Sequence, residues 1–216
     1  MNIQTYALSR PESLHISNED ESVSFGLNQE WYGTNWQRRA GCGPTVASTV
    51  LLYLNKVKGM PLPHSADSKA GCVGLMESVW EHVTPTMNGV NRLEILSEGV
   101  LALADCVGAG LSSHLLHVPT APCERPDLSH VVAFIAEGLR QDCPVAFLNL
   151  SNGKLHNLDD WHWVTIVSLE VGEDYQSVQA VMYDEGKSTQ IDLKLWVETT
   201  LLGGGFVYFT APARQD

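Results

Sequence analysis

Positive charge is scarce in this chain: 13 Lys and Arg stand against 25 Asp and Glu over 216 residues, a formal net charge of −12. A surface of that sign repels phosphates and anionic lipid unless a local basic patch intervenes, and Arg38 with Arg39 is the only adjacent basic pair. Neither nucleic acid nor a membrane is therefore an expected partner. Long apolar runs are missing too. Residues 99–123 carry Asp105 as their single charge, yet Gly, Ser, His and Pro break the stretch into helix, turn and strand. The first 26 residues hold Arg10, Glu12, Glu19, Asp20 and Glu21 with no apolar core of a signal peptide, which predicts a cytoplasmic protein. Cysteine pairs at CxxC spacing are also lacking. The five cysteines, at 42, 72, 106, 123 and 143, form an odd set in a chain long enough to bury a core, so reduced thiols are expected.

No repeat, heptad run or low-complexity linker divides the chain, so we expect one domain over residues 23–216 behind a polar, loosely ordered or partly strand-like lead-in over residues 1–22. Helical periodicity fills the first part. Val46, Val50, Leu51 and Leu54 recur at three- and four-residue steps between Pro44, placed where a helix needs no donor, and the terminating Gly59. Residues 73–83, 92–106 and 128–141 repeat the pattern. After Pro144 the texture changes to β-branched and aromatic runs at 145–150, 161–169, 178–183 and 205–210, separated by turn residues. The absence of βαβ alternation predicts an α+β fold, with a helical half over about 42–143 packed on a mainly antiparallel sheet half over about 144–212. An active site belongs where the halves meet.

Cys42 begins the strongest helix, within Ala40, Gly41, Cys42, Gly43, Pro44 and Thr45. Unpaired amides and the positive end of the helix dipole favour thiolate there, and the flanking glycines, Gly41 among them, leave room for a substrate carbonyl. A small buried hydrophobe that happens to start a helix is the plainer alternative. His162 shifts the balance. It sits between Trp161 and Trp163 at the head of Val164, Thr165, Ile166 and Val167, a run apolar on both faces, and Asp184 ends the next strand. Hairpin pairing brings the two ends together, where a carboxylate orients the imidazole and stabilises its cation.

These residues resemble a known family. The run QRRAGCGPTVAS at 37–48, WHWVTIV at 161–167 and YDEG at 183–186 are similar to the three motifs of papain-like cysteine peptidases. The nearest branch is the bacterial one that includes peptidases cleaving double-glycine leader peptides. The likeness spans residues 37–209 and rests on about a dozen of them. It implies Cys42 as nucleophile, His162 as general base and acid, Asp184 as orienter, no metal or organic cofactor, and a peptide or small amide as substrate. Gly41, Trp161 and Trp163 fall at substrate-binding positions. The family's oxyanion glutamine stands six residues before the cysteine, where this chain has Trp36, so the role passes to Gln37 or its rival Asn35. Acyl transfer of the phytochelatin-synthase kind and a non-catalytic binding module are the alternative functions.

Other candidates are weaker. Cys72 also precedes a helix but lacks the CGP run, and Cys106, Cys123 and Cys143 are expected to be structural. His114 and His117 point to opposite faces of a strand, His156 lies in a polar loop, and Asp159 and Asp160 compete with Asp184 as orienter. Gly203 to Gly205 reads as a turn or bulge before the last strand. Oligomeric state is not legible in any of these residues.

Overall fold

The computed structural model describes residues 3–18 and 20–211, so three residues of the expected lead-in and the last five of the expected domain lie outside the described residues. At its centre is a helix, α2 (Cys42–Lys58), whose Ala47, Val50, Leu51, Leu52, Tyr53 and Leu54 are all 0% exposed. A helix apolar on every side has to be enclosed rather than laid on a surface. Pro44 sits in its first turn, and Gly59, in the left-handed conformation at φ 69°, closes it by donating its amide to Asn55 O at 2.8 Å.

Around α2 stand α1 (Asn35–Ala40), α3 (Lys69–His82), α4 (Leu93–Cys106), α5 (Leu128–Arg140) and α6 (Leu193–Thr199). Short polar side chains start most of them: Thr34, Ser68, Asp127 and Asp192 each accept a backbone amide of the following first turn. The strands are β1 (Ile3–Ala7), β2 (His15–Ser17), β3 (Val23–Phe25), β4 (Ser112–Val118), β5 (Val145–Asn149), β6 (His162–Gly172), β7 (Val178–Asp184), β8 (Lys187–Asp192) and β9 (Gly204–Thr210). Seven of them form one sheet in the order β4-β9-β5-β6-β7-β8, with β1 joined to β6, and β2 pairs with β3 separately; every pairing is antiparallel.

β6 organises the sheet. Its first half, His162 to Val167, is buried at every residue, as the two-sided apolar run required, while from Ser168 onward burial alternates. β5 pairs with residues 162–166 and β1 with residues 168–172 of it, so the two lie end to end along one edge while β7 takes the other. The α+β class and the mainly antiparallel sheet agree with the expectation from sequence, and the four expected helices and four C-terminal strands are present.

Four elements depart from it. The lead-in supplies β1 to the main sheet and buries Leu8, Leu14 and Ile16, so it is partly core. α1 had no expectation, and neither did β8 or α6. β8 exposes half of its side chains as the polar edge of the sheet, with Ile191 its one buried residue, and α6 is only seven residues long. Neither offers a pattern that periodicity can detect.

Gly203 to Gly205 all have positive φ, and Gly204 and Gly205 begin β9 itself. Gly204, at φ +141°, passes so close to β5 that an added Cβ would lie 2.0 Å from the Leu148 carbonyl oxygen. Gly204→Ala should therefore cost at least about 3 kcal/mol in urea unfolding, combining backbone strain with overpacking. Gly108→Ala, also at positive φ but with open space around it, should cost only about 1–2 kcal/mol. Equal losses would show that the close approach at β9 is unimportant.

Candidate active site

Gly41 is at once the last residue of α1's cap and the first of α2's, with φ −87° and ψ 2°. A Cβ there would sit 2.4 Å from Gln37 O and 2.8 Å from the Tyr32 ring, so the glycine permits the sharp join between the helices. Gly41 is buried, and its missing side chain accommodates the protein's own packing rather than a substrate. The join delivers Cys42, half-buried, to the first position of α2. The first backbone bond within that helix runs from Thr45 N to Gly41 O, so the amides of Cys42 and Gly43 precede the ladder, at the positive end of the dipole.

His162 opens β6 and Asp184 closes β7. Thr165 pairs with Tyr183; one step further in the same register sets Asp184 opposite Val164, two residues from His162 and on its face. His162 Nε2 and Asp184 Oδ1 meet at 2.7 Å, with side-chain exposures of 10% and 23%. A two-residue turn, Glu185 at φ 46° and Gly186 at φ 78°, follows Asp184 directly and fixes where β7 ends. Asn28 Nδ2 donates to Glu185 O at 2.8 Å and Phe25 N to Gly186 O at 2.9 Å, tying that turn to the N-terminal segment.

Burial alone would push the His162 pKa down. Hydrogen bonding to Asp184 and to Cys42, with the negative charge each carries when ionised, outweighs burial and raises it to about 10. The imidazole is thus held as a cation between a carboxylate and a sulfur. Cys42, His162 and Asp184 line one small cavity, with Thr45, Tyr183 and Gln29. Cys42 also lines a second, open cleft of about 610 Å³ on its other side, with Trp36, Met87 and Trp161.

The two tryptophans beside His162 have different fates. Trp161 precedes the strand at φ +54°, is 54% exposed and lines the cleft. Trp163 is 1% exposed and donates its indole Nε1 to Val90 O at 2.5 Å, so it is a core residue that anchors the chain beside the cleft. Its expected substrate contact gives way to that structural role. Asn149, opposite His162 in the β5–β6 register, donates Nδ2 to Asp159 O at 2.6 Å and accepts Trp196 Nε1 at 2.7 Å, which holds the approach to His162.

Gln37 is not brought to the sulfur. As the third residue of α1 its Oε1 accepts the Thr34 amide and hydroxyl, at 3.2 and 2.8 Å, while its Nε2 donates to Glu77 Oε2 at 2.6 Å. Both ends of the carboxamide are occupied, and the residue lines neither cavity beside Cys42. Asn35 is likewise turned to Arg38, whose Nη2 it accepts at 2.5 Å. The amide side chain that does line the cavity is Gln29, which sequence reasoning missed; its Nε2 donates to Arg38 O at 3.0 Å. Its separation from Cys42 matches no spacing that would have drawn attention to it.

The remaining thiols separate cleanly. Cys72 and Cys143 are buried, and burial pushes both thiols up. Cys106 and Cys123 are exposed, so the expectation that they are structural does not hold. Asp159 and Asp160 are exposed; Asp160 accepts the Asn152 amide and leaves His162 to Asp184. His156 is exposed, as expected.

No family model and no curated protein matches the chain. Among solved structures it is similar to UfSP from C. elegans, a cysteine protease of papain-like fold, with a TM-score of 0.59 and 10% identity over 97% of this chain and 35% of that one. At that identity the likeness shows the fold: this chain is an α+β protein of papain-like architecture, and it spans about a third of its neighbour's length. No helix among the described residues is long and apolar enough to cross a membrane.

Asp184→Asn should lower the titration midpoint of His162 well below 10, followed by imidazole proton NMR. The sign for stability follows from the direction. A histidine pKa raised above its unfolded value of about 6.5 contributes stability fully present below that pH and lost as pH rises through the folded value. The wild-type chain should therefore lose stability as pH climbs toward 10, and the variant should lack this dependence. An unchanged midpoint would show that the carboxylate does not hold the charge.

Proposed function

We propose that the chain is a cysteine-dependent hydrolase of amide or peptide bonds, with Cys42 as nucleophile, His162 as general base and acid, and Asp184 as the residue that orients His162. One observation carries the reading: the 2.7 Å bond from His162 Nε2 to Asp184 leaves the other face of the imidazole to the thiol at the head of α2, all three lining one cavity.

The chemistry follows from those positions. His162, as the imidazolium its surroundings favour, carries the proton drawn from the Cys42 thiol, and the thiolate attacks the substrate carbonyl carbon. Negative charge moves to the carbonyl oxygen, and the backbone amide of Cys42, which precedes the helix ladder, would serve as its donor. Collapse of this intermediate expels the amine, which takes the proton held by His162, and leaves a thioester. Water, deprotonated by His162, then releases the acid and restores the thiol. Asp184 keeps Nε2 engaged throughout, so that Nδ1 works on the sulfur side.

Replacement of water by an amine or thiol acceptor would make the same site an acyltransferase. A binding module of this fold is the competing reading, favoured by the engagement of Gln37 and Asn35 elsewhere. The finer assignment, to the bacterial double-glycine-leader branch, rests on the sequence resemblance.

Iodoacetamide alkylation at graded pH, mapped over all five cysteines by mass spectrometry, tests the reading. Cys42 should react fastest below neutral pH and lose that advantage in His162→Ala, and Cys42→Ala should fold but show no turnover. Uniform reactivity of the exposed thiols, or a lead for Cys72, would favour the binding module.

A further inference from the structure

Eight large hydrophobic residues are exposed among the described ones, and three of them, Trp36, Met87 and Trp161, at 46, 89 and 54% exposure, converge on the single cleft beside Cys42. They come from three separate segments: α1, the tight turn in which Thr86 and Gly89 exchange backbone bonds at 3.1 and 2.9 Å, and the residue before β6. Scattered singly, exposed apolar side chains need no explanation; gathered around a concave wall they mark recognition. Tryptophan and methionine suit the task, one as a rigid amphipathic face and the other as an adaptable one.

Among the described residues the cleft has one charged lining residue, and its sign opposes that of the chain. Arg39 projects there with no hydrogen bond or ion pair among the described residues, whereas its neighbour Arg38 is tied to Tyr32 O at 2.6 Å and to Asn35. In a protein of net charge −12, a free guanidinium beside the nucleophile makes an anion the favoured partner locally. The cleft also continues. It shares Asn91, Leu148 and Leu150 with a second open cavity of about 510 Å³ that reaches Leu202 and His117. Two such volumes end to end exceed what a small amide fills and fit an extended chain.

We propose that this cleft recognises an extended peptide segment bearing a large apolar or aromatic residue near the bond presented to Cys42, with an acidic residue close to it that pairs with Arg39. The assignment rests on the proposed hydrolase only for what happens to that bond; recognition itself needs no chemistry, which keeps the two separable.

Fluorescence anisotropy on the Cys42→Ala full-length chain tests it, using fluorescein-labelled octapeptides of Gly and Ser with one Phe. Each peptide carries Glu, Gln or Lys one to three residues to either side of the Phe. In low salt the best Glu peptide should bind about five-fold or more tighter than its Lys counterpart, a preference that fades at high salt. Arg39→Glu should reverse the order and Arg39→Gln should abolish it; neither disturbs a packed contact, and circular dichroism checks the fold. Trp161→Ala and Trp36→Ala should each weaken binding about ten-fold. Equal affinity for Glu and Lys peptides, a preference that survives Arg39→Glu, or no binding of any Phe peptide would overturn the assignment. Iodoacetamide reactivity of Cys42 in the wild-type chain reads the nucleophile independently. A charge preference with an inert thiol leaves recognition standing and removes the hydrolase; a reactive thiol with no preference does the reverse.

Discussion

Burial of α2 on every side is the constraint from which the rest of the molecule follows. A helix with Leu51, Leu52, Tyr53 and Leu54 in succession has no face to give to water, so sheet and helices must close around it. The elements that do so are β5 and β6, whose paired first halves are also buried on both faces, together with α3 and α4. Packing a two-sided helix onto a two-sided strand pair determines where the helix begins. Its N-terminus, with Cys42, arrives level with the start of β6 and the end of β7, where His162 and Asp184 stand. The site is a consequence of core packing before it is a feature of chemistry.

Electrostatics at that junction runs against burial and overcomes it. A histidine as enclosed as His162 would ordinarily be neutral; one short bond to a carboxylate and the nearness of the sulfur keep it charged. Such an arrangement is sensitive to position, because a buried charge is tolerated only while its partner is in place. The surrounding bonds serve that requirement. The Glu185–Gly186 turn is pinned by Asn28 and Phe25, and Asn149 holds the loop that leads into His162. Segments far apart in sequence thus converge on the geometry of one imidazole.

The two sides of Cys42 differ in kind. Toward His162 the space is small, while away from it the cleft is open, walled by Trp36, Met87 and Trp161, and edged among the described residues by the unpaired cation of Arg39. Trp163 separates them in function: its indole bond to Val90 O clamps the turn that carries Met87 to the strand that carries His162. A single buried side chain thereby links the wall of the cleft to the strand that carries His162, and of the two tryptophans Trp161 is the one that lines the cleft.

Much of this was legible from residues alone. The CGP run at a helix start, the apolar strand headed by His162 and the turn after Asp184 each carry local signals, since helix ends, two-sided strands and tight turns are dictated within a few residues. What sequence could not decide are facts of partnership. Gln37 has the right chemistry for an oxyanion donor, yet the α1 cap and Glu77 claim its amide, and Glu77 lies on another helix. Trp161 and Trp163 look alike in the string and would share a face in a continuous strand, but Trp161 stands before β6 in the left-handed conformation and is exposed while Trp163 is buried. β1 and β8 are polar segments that become strands because β6 and β7 offer them open edges. Arg39 resembles its neighbour until folding ties one guanidinium to α1's surroundings and leaves the other in the cleft. Local conformation is decided by neighbours in the chain; occupancy of a hydrogen bond or an open edge depends on what distant segments bring to it, and only the tertiary structure decides that.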